Sequence, residues 1–480
     1  MAISDTELEA IVRRVVGELQ GGPASAPPSA SAAASTGREP LAATGRNGLY
    51  ATVPEAVEAA RRAQRELTKA GVATRQLAIA AIRQVGLDQA EPLARAAYEE
   101  TGLGRLRDKV AKMQLAATRS LGTEDFDEPR AFAGQHGLTI EDWLPWGVVA
   151  SVTPTNSPSA FMINHGITMI AGGNAVVFNA HPGCRWTSMR TVELMNQAVV
   201  AAGGPDNLMA GVVAPSLDSA RELVTHAGVD MLCITGGAEL VRDAFGTGKR
   251  VIAAGPGMPI SVVDDTADVR WAAAEILKGA VFDNTILCIG EKAVVAADAV
   301  YRPLLDAFAD LPAHVLTAEE TERVYRAVID DDGKGHRRTR REFVGRDAEV
   351  LLAAAGISSR KPVGLLVAPV EREHPLFWME QFLPFLPVVR AKDSDAAIDL
   401  GIEAEGHNRH TAMIYSNFPP NVERFAREVS TVVTVVNGCS LRGLGAEGEG
   451  YPGFAIGTVT GEGITSPRHF AQVRRVARIR

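Results

Sequence analysis

Cysteine is scarce in this chain. Its 480 residues contain four, Cys184, Cys233, Cys288 and Cys439. No two are spaced Cys-x-x-Cys and no His stands at a ligand spacing from them, so no metal site is expected. Unpaired thiols of this kind suit a reducing cytoplasmic interior. A basic surplus is lacking too: the formal net charge is -8 with 22% charged residues. That balance argues against a nucleic-acid partner, which calls for a basic stripe. Two local basic runs, Lys334 to Arg341 and Arg474 to Arg480, read as a solvated loop and a solvated tail. No stretch approaches the ~18 unbroken apolar residues of a membrane span. The N-terminus lacks the charged n-region and apolar h-region of a secretory signal, so neither membrane nor export is expected.

What is present is an ordinary globular composition, 46% apolar, in a chain long enough for two or three domains. Residues 4 to 20 place Leu8, Ile11, Val12, Val15, Val16 and Leu19 on one helix face. Ser4 with Glu7 offers a capping box to start that helix. Residues 21 to 46 are mostly Gly, Pro, Ala and Ser, with too little to bury to be more than a tether. A short amphipathic helix on a long tether is suited to docking in the apolar groove of a protein partner. Folding back on its own enzyme is the alternative. Its mixed-charge polar face argues against a membrane surface.

From about residue 147 strand and helix signals alternate. Strands are expected at Gly147 to Thr153, Asn174 to Phe178, Leu208 to Val213, Asp230 to Thr235 and Arg250 to Ala254. Helices are expected at Ser159 to Ala171, Thr187 to Ala202, Leu217 to Ala227 and after Gly237 to about Phe245. Continuous apolar strands alternating with helices predict an α/β fold with a doubly wound parallel sheet, covered on both faces. Upstream, Thr52 to Ala70, capped by Thr52 with Glu55, and Arg75 to Ala97 read as covering helices. Residues 131 to 144 read as a strand pair, and Phe454 to Arg480 alternates as a strand does.

Ligands of such sheets bind at the carboxyl ends of the strands. Three loops there are polar or Gly-rich: Thr155-Asn156-Ser157, Asn179-Ala180-His181-Pro182 and Thr235-Gly236-Gly237. The last opens a helix whose free N–H groups suit a pyrophosphate. No G-x-G-x-x-G follows any of these strands, and a tight strand-to-helix turn explains Thr-Gly-Gly equally well. Cys288, in Asn284-Thr285-Ile286-Leu287-Cys288-Ile289-Gly290-Glu291-Lys292, is a thiol carried on a dinucleotide-type fold. That pairing suggests covalent redox chemistry, with sulfur attacking a carbonyl and a nicotinamide taking the hydride. Cys233 lies within a strand and reads as core. Cys184 and Cys439 lie near loops and read as bystanders open to solvent.

These motifs together resemble the aldehyde dehydrogenase superfamily, and more closely its CoA-acylating branch from bacterial microcompartments. The markers are Pro145-Trp146-Gly147-Val148-Val149-Ala150-Ser151-Val152-Thr153-Pro154, Ile234-Thr235-Gly236-Gly237, Ala253-Ala254-Gly255, the Cys288 segment, Glu380-Gln381-Phe382-Leu383-Pro384 and Gly461-Glu462-Gly463-Ile464-Thr465-Ser466. The resemblance runs over essentially the whole chain and depends on the order and spacing of these runs. It implies Cys288 as nucleophile and the Asn156 amide as oxyanion donor. It implies NAD binding by Thr153, Pro154, Thr155, Asn179, His181, Pro182, Thr235, Gly236, Gly237, Gly255, Glu380 and Phe382. His410, Asn437 and Cys439 are its substrate or CoA candidates. Asn156 sits one residue away from the branch's usual position for that amide.

The same resemblance implies an amphipathic targeting helix over 1–20 that binds microcompartment shell proteins, and a flexible linker over 21–46. An NAD(H)/CoA-binding domain over 47–255 follows, with an oligomerisation hairpin near 131–144. A catalytic domain over 256–440 and a C-terminal segment over 441–480 carrying an oligomerisation strand complete it. A homodimer or homotetramer is implied, with a short-chain aldehyde and coenzyme A as partners.

Two departures from hydrolytic relatives are informative. Where those carry a Glu general base, this chain has Ala253, and water loses help worth typically 10²–10⁴-fold. Where they carry a Lys on the adenosine ribose, this chain has Asn179-Ala180-His181-Pro182. The implied activity is oxidation of an acetaldehyde- or propanal-like substrate with NAD+ and CoA to acyl-CoA. The competing readings are a hydrolytic dehydrogenase giving free acid and a non-catalytic shell-associated protein.

Overall fold

The computed structural model describes residues 40–126, 130–332, 336–359 and 361–479. The amphipathic 4–20 segment and nearly all of the 21–46 tether lie outside them. The described chain forms two compact units. Lys109–Gly255, with the segment before Thr101 and the chain from Tyr451 on, makes the first. Gly102–Asp108 and Pro256–Gly450 make the second.

The first unit is built on a six-stranded sheet ordered Leu49–Tyr50, Met209–Val212, Ala175–Ala180, Val148–Thr153, Met231–Thr235, Arg250–Ala254. Every pairing is parallel. All six residues of Val148–Thr153 and all six of Ala175–Ala180 are buried, as a strand covered on both faces requires. The chain moves to opposite sides of Val148–Thr153 for its next two strand pairs. The carboxyl end of that strand, followed by Pro154-Thr155-Asn156, is therefore the topological switch point where such sheets bind ligands.

The expected elements are present with ends shifted by a residue or two: Pro158–Ala171, Arg185–Ala201, Leu217–Thr225 and Ala238–Phe245 are helices. The helix Val53–Ala70 begins with the expected Thr52–Glu55 capping box. One expectation fails. Arg75 to Ala97 is two helices, Val72–Asp88 and Ala90–Thr101, meeting at Gln89. Pro92 is the reason: without an N–H it cannot continue the earlier helix, but it fits the first turn of a new one.

A separate antiparallel sheet pairs Arg130–Gly134 with Gly137–Pro145, and Gly137–Pro145 with Ala471–Ile479. The basic run from Arg474 is thus a strand and not a free tail. Arg474 pairs with Asp142 at 2.6 Å, and Arg475 with Glu141. Its apolar side chains are uncovered: Val473 is 61% and Ile479 75% exposed. The other basic run is likewise tied down, Arg337 to Asp331 and Arg340 to Asp330.

The second unit carries a seven-stranded sheet ordered Ala313–Val315, Leu365–Val370, Phe385–Ala391, Ala293–Ala297, Ile260–Val263, Thr411–Tyr415, Val433–Val436. It too is parallel throughout. Among the described residues no helix is long and apolar enough to cross a membrane.

Asn174 fixes the entry to the central strand of the first unit. Its buried Oδ1 accepts from the Trp146 and Gly147 N–H groups at 2.8 and 3.0 Å. Its Nδ2 donates to the Met169 and Phe470 carbonyls at 3.0 and 2.7 Å. Asn174→Ala removes the side-chain partner of the Trp146 and Gly147 N–H groups and of the Phe470 carbonyl, while the Met169 carbonyl keeps the backbone N–H of residue 174 at 3.0 Å; each buried orphan costs about 1–3 kcal/mol. The expected loss is about 3 kcal/mol or more, read as a lower urea midpoint at unchanged slope; a midpoint equal to wild type contradicts it.

Candidate active site

In the first unit the switch-point residues divide into two groups. The Thr153 and Thr235 hydroxyls are buried and meet no hydrogen-bond partner. Gly236 and Gly237 are exposed, and a Cβ built on Gly237 meets nothing within 4 Å. They precede the Ala238–Phe245 helix, so open backbone, a helix start and an orphaned hydroxyl coincide. That donor set fits the pyrophosphate of a dinucleotide. The Asn156 carbonyl accepts from Lys112 Nζ at 2.7 Å, and the same ammonium reaches Ser157 Oγ at 2.7 Å. Lys112 is buried and fixes the turn on which Asn156 stands.

The second group is occupied locally. Asn179 donates to the Ser216 carbonyl at 3.3 Å and accepts from Ser219 Oγ at 2.6 Å. His181 is exposed and its Nδ1 accepts the Gly183 N–H at 3.0 Å, capping the turn that begins at Pro182. Pro154 and Thr155 are half-buried. The Gly255 N–H donates to Thr458 Oγ1 at 2.8 Å, and the Ala253 N–H to Thr460 Oγ1 at 3.1 Å. The Ala253 methyl itself is fully buried.

The second unit brings Cys288, Lys292, Glu380, Phe382 and His410 together. Cys288 follows a turn in which Asp283, Asn284 and Thr285 have φ of 48°, 52° and 64°. Three consecutive side-chain-bearing residues in the left-handed region cost of order 1–3 kcal/mol each, so the surroundings must impose them. They do. Asp283 N–H donates to Asp108 Oδ2 at 2.8 Å, and its Oδ1 accepts the Arg105 N–H at 2.6 Å. Asn284 Nδ2 donates to the Gly345 carbonyl and to Asp347 Oδ1, both at 2.9 Å. Asn284 is thus a brace of the nucleophile turn and more than a simple cap.

Cys288 is half-buried; the other three cysteines are fully buried. Cys184 and Cys439 are therefore not the solvent-open bystanders expected: packing closes over both, and burial raises both thiols. Burial also pushes the Cys288 thiol up to about 12; the Glu380 charge adds to that rise and Lys292 opposes it. Lys292 is itself fully buried and burial lowers it to about 8. Its Nζ donates to the Thr285 carbonyl at 2.6 Å and the Leu287 carbonyl at 3.2 Å, and lies 4.6 Å from the Phe382 ring centre. Gln381 Nε2 holds the Lys292 carbonyl at 2.9 Å. Glu380 is half-buried, with Oε1 sealed from solvent and unpartnered, and burial raises its carboxyl to about 7.

His410 is buried and burial lowers it to about 4, so its imidazole is neutral. Nδ1 shares a 2.9 Å hydrogen bond with Thr411 Oγ1, while Nε2 is buried and unpartnered. Gly257 explains how these segments converge: a Cβ there falls 2.9 Å from the Cys288 carbonyl oxygen and 3.0 Å from the His410 ring. Asn437 is used differently, its side chain bridging the Ser416 N–H and carbonyl at 2.9 and 2.8 Å. The Cys439 N–H donates to Glu275 at 2.9 Å. The Asn437 amide is thus engaged within its own loop, and the Cys439 thiol is sealed by burial.

The aldehyde dehydrogenase family profile matches residues 36–453. The chain belongs to the aldehyde dehydrogenase family. It is 43% identical over 440 residues to the acetylating acetaldehyde dehydrogenase EutE of Escherichia coli K12, covering 91% of this chain and 93% of that one. It is 34% identical over 474 residues to a CoA-propanoylating propanal dehydrogenase of Salmonella typhimurium, covering 98% of each. The crystal structure of a Rhodopseudomonas palustris propionaldehyde dehydrogenase with bound CoA and an acylated cysteine superposes with a TM-score of 0.87 at 37% identity. It covers 90% of this chain and 98% of that one. The α/β fold with parallel sheets is that of this family.

Lys292 and Lys112 were not singled out by sequence reasoning, because a lysine reads as solvent-facing by default. The Glu291-Lys292 pair directly after the nucleophile was the available signal. Glu291 is also fully buried, accepting from the Ser440 N–H and Oγ at 2.8 and 2.9 Å. Burial raises it to about 7. A carboxyl that holds its proton more tightly when folded stabilises the protein below its unfolded value. That contribution is lost as pH rises from about 4.5 to about 7 and changes no further above that. Relative to Glu291→Gln, the wild type is therefore expected to lose stability across that window, by at most about 1.4 kcal/mol per pH unit. Denaturation of both proteins at pH 5, 6, 7 and 8 checks this; a difference constant from pH 5 to 7 contradicts it.

Proposed function

We propose that this chain is a CoA-acylating aldehyde dehydrogenase that oxidises a short-chain aldehyde with NAD+ and transfers the acyl group to coenzyme A. The observation that carries the reading is the braced, half-buried Cys288; the sequence supports it with Ala253 at the position where hydrolytic relatives carry the carboxylate that acts on water. Cys288 sulfur adds to the aldehyde carbon to give a thiohemiacetal. The oxyanion is assigned to the Cys288 N–H and, on the family resemblance, to the Asn156 amide. One such donor typically contributes about 2.7–4 kcal/mol to the transition state. NAD+, when bound, accepts the hydride that converts this adduct into a thioester. Thr235, Gly236 and Gly237 fit its pyrophosphate, and Glu380 has a free oxygen for a hydroxyl donor.

The thioester on Cys288 then meets two nucleophiles. Water needs a proton acceptor, and position 253 supplies none. The CoA thiol is more acidic and more nucleophilic. His410, with Nε2 unpartnered, offers that thiol a hydrogen-bond acceptor. The relatives named acetaldehyde and propanal dehydrogenases support a substrate of two or three carbons. Microcompartment membership among structural relatives and the amphipathic pattern of residues 4 to 20 support targeting to a protein shell through residues 1–20. The uncovered Val473 and Ile479 side chains support pairing of the three-stranded sheet with another copy, in a homodimer or homotetramer.

Two experiments test this. Cys288→Ala should lose NADH production by about 10⁴-fold or more while keeping fold and NAD+ binding. Wild-type turnover should need CoA and yield acyl-CoA; CoA-dependent NADH production by the alanine variant, or free acid at full rate without CoA, refutes the reading. Deleting residues 1–20 should leave kcat and KM within about 2-fold while abolishing co-purification with shells. Shell entry by the truncated enzyme refutes targeting by that segment.

A further inference from the structure

The nucleophile turn contains a group that the mechanism above does not use. Lys292 is a fully buried ammonium that donates to two carbonyls, Thr285 and Leu287, and not to a carboxylate. Both acceptors lie in the segment that ends at Cys288. The remaining face of the ammonium is covered by the Phe382 ring, and the backbone of Lys292 is held by Gln381, whose own carbonyl accepts from Thr339 Oγ1. A buried lysine held on every side is costly unless its charge has work to do.

We propose that Lys292 is the positioning residue of Cys288: one ammonium both ties the left-handed turn that presents the sulfur and supplies the positive charge against which its thiolate forms. This rests on Cys288 as the nucleophile. Three further titratable groups bear on the pair. Lys292 favours the thiolate and Glu380 opposes it, while Glu291 and His410 interact with Lys292. Glu291 is turned to Ser440 and His410 is neutral, so the balance at the sulfur is between Lys292 and Glu380. Protonating Glu380, or engaging it elsewhere, leaves the Lys292 charge unopposed. The site thus holds its thiol protonated at rest and eases its ionisation when Glu380 is neutralised.

The test reads the sulfur directly and needs no turnover. Iodoacetamide is added to the full-length enzyme without cofactor at pH 6 to 10. The Cys288 thiol loses its proton to buffer, sulfur bonds to the methylene carbon and iodide leaves, and peptide mass spectrometry follows the adduct. Lys292→Met should move the pH profile upward and slow alkylation at pH 8 by about 10-fold or more. Glu380→Gln should move it downward and speed alkylation at pH 8. Lys292→Gln keeps N–H donors for the turn without the charge; a role confined to holding the turn leaves its profile where it was. An unchanged profile in Glu380→Gln overturns the proposal, as does one in a folded Lys292→Met. If Lys292→Met does not fold, Lys292→Gln decides: an unchanged profile in it overturns the proposal. A dispensable nucleophile would show instead as activity in Cys288→Ala, so the two failures are distinct.

Discussion

Asp283, Asn284 and Thr285 occupy a backbone region that side-chain-bearing residues avoid, and everything at the thiol depends on that conformation being enforced. Left to itself the turn would relax, and Cys288 would leave its place. Three sets of polar contacts prevent this: the Arg105–Asp108 strand of contacts to Asp283, the Gly345–Asp347 loop on Asn284, and Lys292 on the carbonyls of Thr285 and Leu287. The strain is local; Arg105, Asp108, Gly345 and Asp347 support it from segments distant in sequence, and Lys292 from within the same segment. This is the usual arrangement where a reacting atom must be held in one place.

Much of the architecture was legible because strands buried on both faces have only one way to be written. Val148 to Thr153 and Val251 to Ala254 are short, mostly apolar runs bounded by glycine or proline. The break at Gln89 was missed because the apolar pattern runs on across it, while Pro92 carries the signal. The basic tail was misread for a different reason. Arg474 and Arg475 point to carboxylates on a neighbouring strand, and nothing near them in sequence announces Asp142 or Glu141.

At Cys288, Thr235, Gly236 and Gly237 residue type marks the candidates, and the structure gives them a half-buried thiol and an open helix start. The Asn179 and Asn437 amides, also candidates by type, bond Ser216, Ser219 and Ser416. An amide near a strand end serves loop geometry as readily as recognition, and only the partner atoms decide which. Lys292 is the converse. Its sequence surroundings hide it, and its full burial reveals it.

An enzyme that handles aldehydes works in the presence of an electrophile able to cap any accessible thiol. Cys184, Cys233 and Cys439 have no solvent-exposed surface, and only Cys288 is open. An electrophile therefore meets one open sulfur, because the other three are sealed in the packed interior.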